Sequence, residues 1–174
     1  TVSLTGTNSV TLVDTEAKLD GLTLAEFSNL ASNGVDYLDS SNNSLLLTVA
    51  EFNALGSVQL TAGDVVTLRD TGAAIAAMTS GQIGALKTAN VDVLDATDNV
   101  LTLNYAQFSA LGGVNLTNAD VVTLRDTAAN LGSLTPTQLG SLIGVDIVDS
   151  SDGILSLNIE QALSLDGLVI AGAT

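Results

Sequence analysis

The stretch Val65-Val66-Thr67-Leu68-Arg69-Asp70-Thr71 recurs unchanged at Val121–Thr127, 56 residues further along a chain of 174. Its alternation reads as a strand, with Val66 and Leu68 facing one way and Thr67 and Arg69 the other. A domain with one catalytic site has little use for a duplicated strand, whereas a stack of similar coils needs the same strand at every level. Written in rows of 56, the whole chain falls into columns. Val2-Ser3-Leu4-Thr5 lies over Val58-Gln59-Leu60-Thr61 and over Val114-Asn115-Leu116-Thr117, and Phe27, Ile83 and Leu139 share a column.

Each row divides again. Strand-like segments begin at Val10, Val35, Val66, Val91, Val122 and Val145, at spacings of 25, 31, 25, 31 and 23 residues. They alternate between a threonine type, V-T-L-[VR]-D-T, and an aspartate type, V-D-x-[LV]-D. After each strand comes the signature [TN]-x-x-[EQ], in which the first side chain caps a helix and the fourth reaches back to it. It occurs at Thr23/Glu26, Thr48/Glu51, Thr79/Gln82, Asn104/Gln107, Thr135/Gln138 and Asn158/Gln161. Pro136, the only proline, falls at the first helical position, where a missing N–H costs nothing. The pattern predicts an α/β repeat solenoid of about six coils, with parallel strands, an extended L-x-L in many copies, and short helical turns. It is expected to be right-handed and flat or gently curved. One domain, 1–174, is expected, with units 2–57, 58–113 and 114–167.

Composition narrows the function. Nineteen acidic residues against four basic ones, with no His, give a net charge of −15, which disfavours nucleic acid and anionic membrane surfaces as partners. Asp outnumbers Glu 15 to 4, which places the acidity in turns and caps more than in helix interiors. There is no Cys, so disulfide and thiol chemistry is excluded. No apolar run reaches the length of a membrane helix. The chain opens on Thr, has Met78 as its only methionine, and reads as a piece of a longer protein.

Counting from the first Val of each strand, positions 0 and 2 are apolar throughout and are expected to face inward: Val10/Leu12, Val35/Tyr37, Val66/Leu68, Val91/Val93, Val122/Leu124 and Val145/Ile147. Positions 1 and 3 then face outward. That alignment sets Arg69 between Asp36 and Asp92, and Arg125 between Asp92 and Asp146, as ion pairs that neutralise the sheet face and fix register. An anion or carbohydrate site is the other reading of the two Arg. Position 4 is Asp in every strand: Asp14, Asp39, Asp70, Asp95, Asp126 and Asp149. The plain account is an Asx-type corner accepting backbone N–H groups. The sharper account is calcium held between coils by Asp39, Asp70, Asp95, Asp126 and Asp149, with Asp98 and Asp152 as further oxygen donors. The spacing Asp92-x-x-Asp95-x-x-Asp98 is not that of an EF-hand loop. Catalysis has little to work with: His and Cys are missing, and the carboxylates form a series instead of one pair in divergent environments. The chain is read as no enzyme.

The strings DVVTLRDTAANLGSLTPTQLGSL (120–142) and VDVLDATDNVLTLNYAQFSALG (91–112) resemble repeat segments of the large, acidic, Cys-free RTX-type adhesins that Gram-negative bacteria export by type I secretion. The resemblance spans Val2 to about Leu165 and is one of repeat style. It implies an extracellular, cell-surface stalk or adhesive role, usually with calcium loading, although the G-G-x-G-x-D nonapeptide is absent here. The resulting expectation is a structural, self-associating module of an adhesin, surface layer or extracellular filament. Neither end of the sequence reads as a polar cap, so either neighbouring repeats of the parent protein or self-association end to end is expected. A glycan-binding face on Thr11, Thr67 and Thr123 is the alternative.

Overall fold

Short apolar strands cannot pair as tight hairpins when 17 to 22 residues and at least one helix separate the partners, so they pair in parallel through crossovers. The computed structural model describes residues 8–165 and 167–171; the Val2–Thr5 row of the sequence repeat lies outside them. The described strands are β1 (Thr11–Asp14), β2 (Tyr37–Ser40), β3 (Ser44–Leu47), β4 (Gln59–Leu60), β5 (Val65–Asp70), β6 (Val93–Ala96), β7 (Val100–Leu103), β8 (Asn115–Leu116), β9 (Val121–Asp126), β10 (Ile147–Ser150) and β11 (Val169–Ile170). They form three all-parallel sheets, ordered β1-β2-β4, β3-β5-β6-β8 and β7-β9-β10-β11. The chain is thus mixed α/β.

The two VVTLRD strands are the joints of this arrangement. Val65–Leu68 pair with β3 while Thr67–Asp70 pair with β6, and Val121–Leu124 and Thr123–Asp126 divide in the same way between β7 and β10. The L-x-L pattern is therefore a strand in its own right, at Leu45–Leu47 and Leu101–Leu103. Between paired segments the chain turns at Asn43, Asn99 and Gly153, all with positive φ (56°, 55° and 93°), a region that Asn and Gly adopt most readily.

Nine α-helices lie among the described residues: α1 (Glu16–Leu19), α2 (Leu24–Leu30), α3 (Val49–Ala54), α4 (Gly72–Ala76), α5 (Ser80–Thr88), α6 (Tyr105–Ser109), α7 (Ala128–Gly132), α8 (Pro136–Gly140) and α9 (Ile159–Leu163), with a short 3₁₀ turn at Ala31–Asn33. Each of the six predicted capping signatures forms a complete capping box, and Pro136 opens α8. The helices α1, α4 and α7 were not anticipated. They begin directly after the D-T that ends each threonine strand, and Thr71 and Thr127 accept the N–H of Ala74 and Asn130 as their caps. Their signal is a large aliphatic residue four places beyond the Thr: Leu19, Ile75 and Leu131 are all buried.

The second and third threonine strands bury the residues expected, while Val10 and Leu12 of the first are only half-buried. Val66, Leu68, Val122 and Leu124 are at most 1% exposed. Aspartate strands do not. Leu38, Leu94 and Val148 enter the core, while Tyr37, Val93 and Ile147 are only half-buried. The cause is register. Aligning the first valines makes Val10 equivalent to Val35, but the ladder sets Thr11 opposite Tyr37 and Thr67 opposite Val93. A slip of one residue exchanges the two faces of a strand. Val91 and Val145 are buried as predicted, but they precede β6 and β10 and lie three residues before the buried Leu94 and Val148, so strict alternation does not reach back to them.

Candidate functional site

The recurrent chemistry of this chain is carboxylate chemistry, and the register decides what each carboxylate meets. Arg69 stands opposite Asp95, and its Nε donates to Asp95 Oδ2 at 2.9 Å; Arg125 stands opposite Asp149 at 3.2 Å. The expected pairing of these Arg with Asp36, Asp92 and Asp146 is corrected by the same one-residue slip. In the first repeat Val13 takes the Arg position opposite Asp39. Asp39 instead accepts the hydroxyl of Thr61 at 2.8 Å.

Asp36, Asp92 and Asp146 have a different role, which they share. Each donates its backbone N–H to the carbonyl of Val10, Val66 or Val122, and its Oδ2 accepts the N–H of that same valine at 2.8–3.1 Å. The side chain stands in for a strand carbonyl where the ladder has not yet begun, so a backbone donor that pairing would leave unmet is satisfied. Lys87 Nζ also approaches Asp92, at 3.4 Å.

The remaining position-4 Asp residues link successive passes of the chain. Oδ1 of Asp14, Asp70 and Asp126 accepts the N–H of the next residue at 2.8 Å. Oδ2 of Asp70 and Asp126 accepts the first N–H of the preceding α3 and α6, from Val49 and Tyr105, at 3.1 Å. Asn42, Asp98 and Asp152 do the converse. Their Oδ1 atoms accept the first N–H of α1, α4 and α7, from Glu16, Gly72 and Ala128, at 2.8–2.9 Å. Helix N-terminal N–H groups lack partners within the helix, and a neighbouring carboxylate or amide oxygen supplies them. Position-4 carboxylates thus do not form a single ladder: those of the threonine strands face Ser40, Ala96 and Ser150, and those of the aspartate strands face Val13, Arg69 and Arg125.

These bonds set the acidities. Burial opposes ionisation of Asp126, but hydrogen bonds from Asn130, Thr127 and Tyr105 outweigh it and hold the carboxyl below its ordinary range. The Ser150 hydroxyl and the Ala128 N–H lower Asp152, and the backbone and hydroxyl of Thr23 lower Glu26.

Two carboxylates that sequence reasoning passed over are the most buried. Asp64 and Asp120, 5% and 6% exposed, accept the N–H of Ser40 and Ala96 through Oδ2 at 2.9 Å. Among the described residues neither Oδ1 has a partner. Burial raises Asp120, the Ala96 N–H opposes the shift, and the charges of Asp95 and Asp98 add to it. The only sequence signal was their shared place in the turn before VVTLRD. Among the described residues no three acidic side chains converge where they could hold a metal ion, and the calcium candidates Asp39, Asp70, Asp95, Asp98, Asp126, Asp149 and Asp152 are distributed among the contacts above.

Two open grooves of about 550 and 600 Å³ recur one repeat apart, the first beside Phe52, Gln59 and Asn90 and the second beside Phe108, Asn115 and Asn118. Of the Thr residues in the alternative glycan face, Thr11 is exposed and Thr67 and Thr123 are half-buried. Among the described residues no helix is long and apolar enough to cross a membrane. Compared with protein-family models, with curated proteins and with solved structures, the chain matches none.

Proposed function

We propose that this chain is a non-catalytic structural module, an α/β solenoid segment of a secreted bacterial surface protein, working as a spacer or self-associating unit in an adhesin, surface layer or extracellular filament. The observation that carries the reading is the reuse of side chains as inter-repeat fastenings. The Asp70–Val49 bond returns 56 residues later as Asp126–Tyr105, and Gly72–Asp98 returns as Ala128–Asp152. Carboxylates committed to backbone N–H groups at every level serve repetition, since each adds stability only when the next pass of chain is present. The RTX-like style of the 91–142 strings supports a surface location for such a stack.

Inserting a second copy of 58–113 tests the architecture. The lengthened protein should fold, extend by a constant increment in small-angle scattering and melt no lower than the parent. Collapse or aggregation of the insertion variant would count against a stack. Antibody raised against the chain should label intact cells of its source; labelling only after lysis would remove the surface assignment.

A further inference from the structure

The three sheets are not equally complete. In the second and third, a threonine strand has an L-x-L strand on its outer side: Ser44–Leu47 beside Val65–Leu68, and Val100–Leu103 beside Val121–Leu124. The first sheet begins at β1, and no described residue pairs with the outer edge of Ser9–Leu12. The third L-x-L segment, Ile154-Leu155-Ser156-Leu157, belongs to no strand among the described residues. Among the described residues one threonine edge lacks an L-x-L partner, and one L-x-L segment lacks a threonine strand.

We infer that a second copy of this chain fills both places, with Ser9–Leu12 of one copy pairing in parallel with Ile154–Leu157 of another. The register follows from the two interior examples: Ser9 opposite Ile154, Val10 opposite Leu155, Thr11 opposite Ser156 and Leu12 opposite Leu157. Burial agrees at both ends. Leu45, Leu47, Leu101, Leu103, Val66 and Leu68 are buried. Their counterparts Leu155, Leu157, Val10 and Leu12 are only half-buried. Joining the edges continues one core across the junction.

Polar groups match as well. Asp70 and Asp126 cap α3 and α6 through Oδ2. Asp14, at the same place in the first repeat, uses Oδ1 on Thr15, and its Oδ2 has no partner among the described residues. The N–H of Ile159, which opens α9, likewise has none, and Ile159 is 79% exposed. In the junction Asp14 caps Ile159. In the junction the carbonyl of the corner residue Gly153 accepts the N–H of Ser9, as Asn43 and Asn99, which also have positive φ, accept the N–H of Val65 and Val121. Because β11 already occupies on β10 the place that β4 and β8 take on β2 and β6, the incoming copy enters at Ser9. The contact joins two different surfaces of the same molecule, so it propagates as a chain of copies instead of closing a dimer.

This inference rests on the stacked-repeat reading, and complementation separates the two. The N–H and carbonyl of Val10 face β2, which leaves the Thr11 N–H on the open edge. Thr11→Pro removes that donor, and an edge tolerates proline. Leu155→Lys spoils the other surface. In sedimentation velocity the wild-type chain should form species of two, three and more copies as concentration rises, and each variant alone should lose association while keeping its circular dichroism spectrum. An equimolar mixture of the two variants should give a one-to-one dimer and nothing larger, which also shows that both are folded. Asp14→Ala should weaken wild-type association without abolishing it. A wild type that stays monomeric at millimolar concentration, a variant that still polymerises alone, or a mixture that yields no dimer overturns the head-to-tail junction. The insertion experiment above would still stand or fall separately.

Discussion

Helices α3 and α6 are the same element 56 residues apart, and both are closed by a complete capping box, yet the closing residue is Glu51 in one and Gln107 in the other. Each uses a side-chain oxygen to accept the N–H of Thr48 or Asn104. Gln107 goes further. Its Nε2 donates to the carbonyls of Ala76 and Met78 at 2.8 and 2.7 Å, and Gln161 repeats this with Gly132 and Leu134. A carboxylate cannot donate, and Glu51 accordingly remains half-buried where Gln107 and Gln161 are buried. Asn42 against Asp98, and Val13 against Arg69, differ in the same spirit. The comparison teaches that the repeat preserves acceptors for backbone donors and lets charge vary around them.

Exchanging residues between repeats tests that lesson. Leu94→Ala should have the largest effect, about 3 kcal/mol in urea unfolding, and Leu38→Ala in the first repeat should match it, since both leucines are fully buried. Val93→Ala should cost about 1 kcal/mol or less; if it proved the costlier of the two, the observed register would be wrong. Bringing the first repeat's residue into the second, Gln107→Glu, should cost about 2 kcal/mol at neutral pH, because a buried carboxylate would face two carbonyls. The reverse exchange, Glu51→Gln, should be close to neutral by the same assay. Asp98→Ala, which orphans the Gly72 N–H, should cost about 1 kcal/mol, whereas Asp98→Asn, which copies Asn42, should cost only a few tenths. Equal losses for the two would show that charge, and not the acceptor, is what holds α4.

Asp120 supplies a pH-dependent contrast. Its folded pKa is shifted upward, so its contribution to stability is fully present below the ordinary carboxylate pKa of about 3.9 and is lost as pH rises through the folded value. Wild type should therefore gain stability relative to Asp120→Asn as pH falls from neutrality toward that value, as read from paired thermal melts. A constant difference across that range would refute the shift. Asp126, Asp152 and Glu26 have the opposite sign: their contribution is present at neutral pH and is lost as pH falls below the ordinary value. A small effect also belongs to Arg69→Val, the Val13 exchange. Arg69 is half-exposed and its pair with Asp95 is surface-type, so the loss should be about 0–1 kcal/mol and shrink with added salt.

Much of this was legible in the chain. The 56-residue columns, the six capping boxes, Pro136 and the inward faces of both VVTLRD strands follow from local pattern, because a cap or an alternating strand is decided within a few residues of itself. The aspartate strands were not legible, since nothing in V-D-x-[LV]-D says whether pairing starts at Val91 or Val93. Asp64 and Asp120 read as ordinary turn residues for a similar reason: their burial depends on the strand that passes beneath the turn.

The sequence by itself determined that this protein repeats, that its strands are parallel and joined by short capped helices, and that its chemistry belongs to Asp and to backbone donors. Tertiary structure alone decided which Asp meets which donor. Pairing register is set by how whole passes of chain nest their apolar side chains, and one residue of offset moves every carboxylate to a new neighbour. That offset sends Arg69 to Asp95 and leaves Asp92 to mimic a strand carbonyl for Val66.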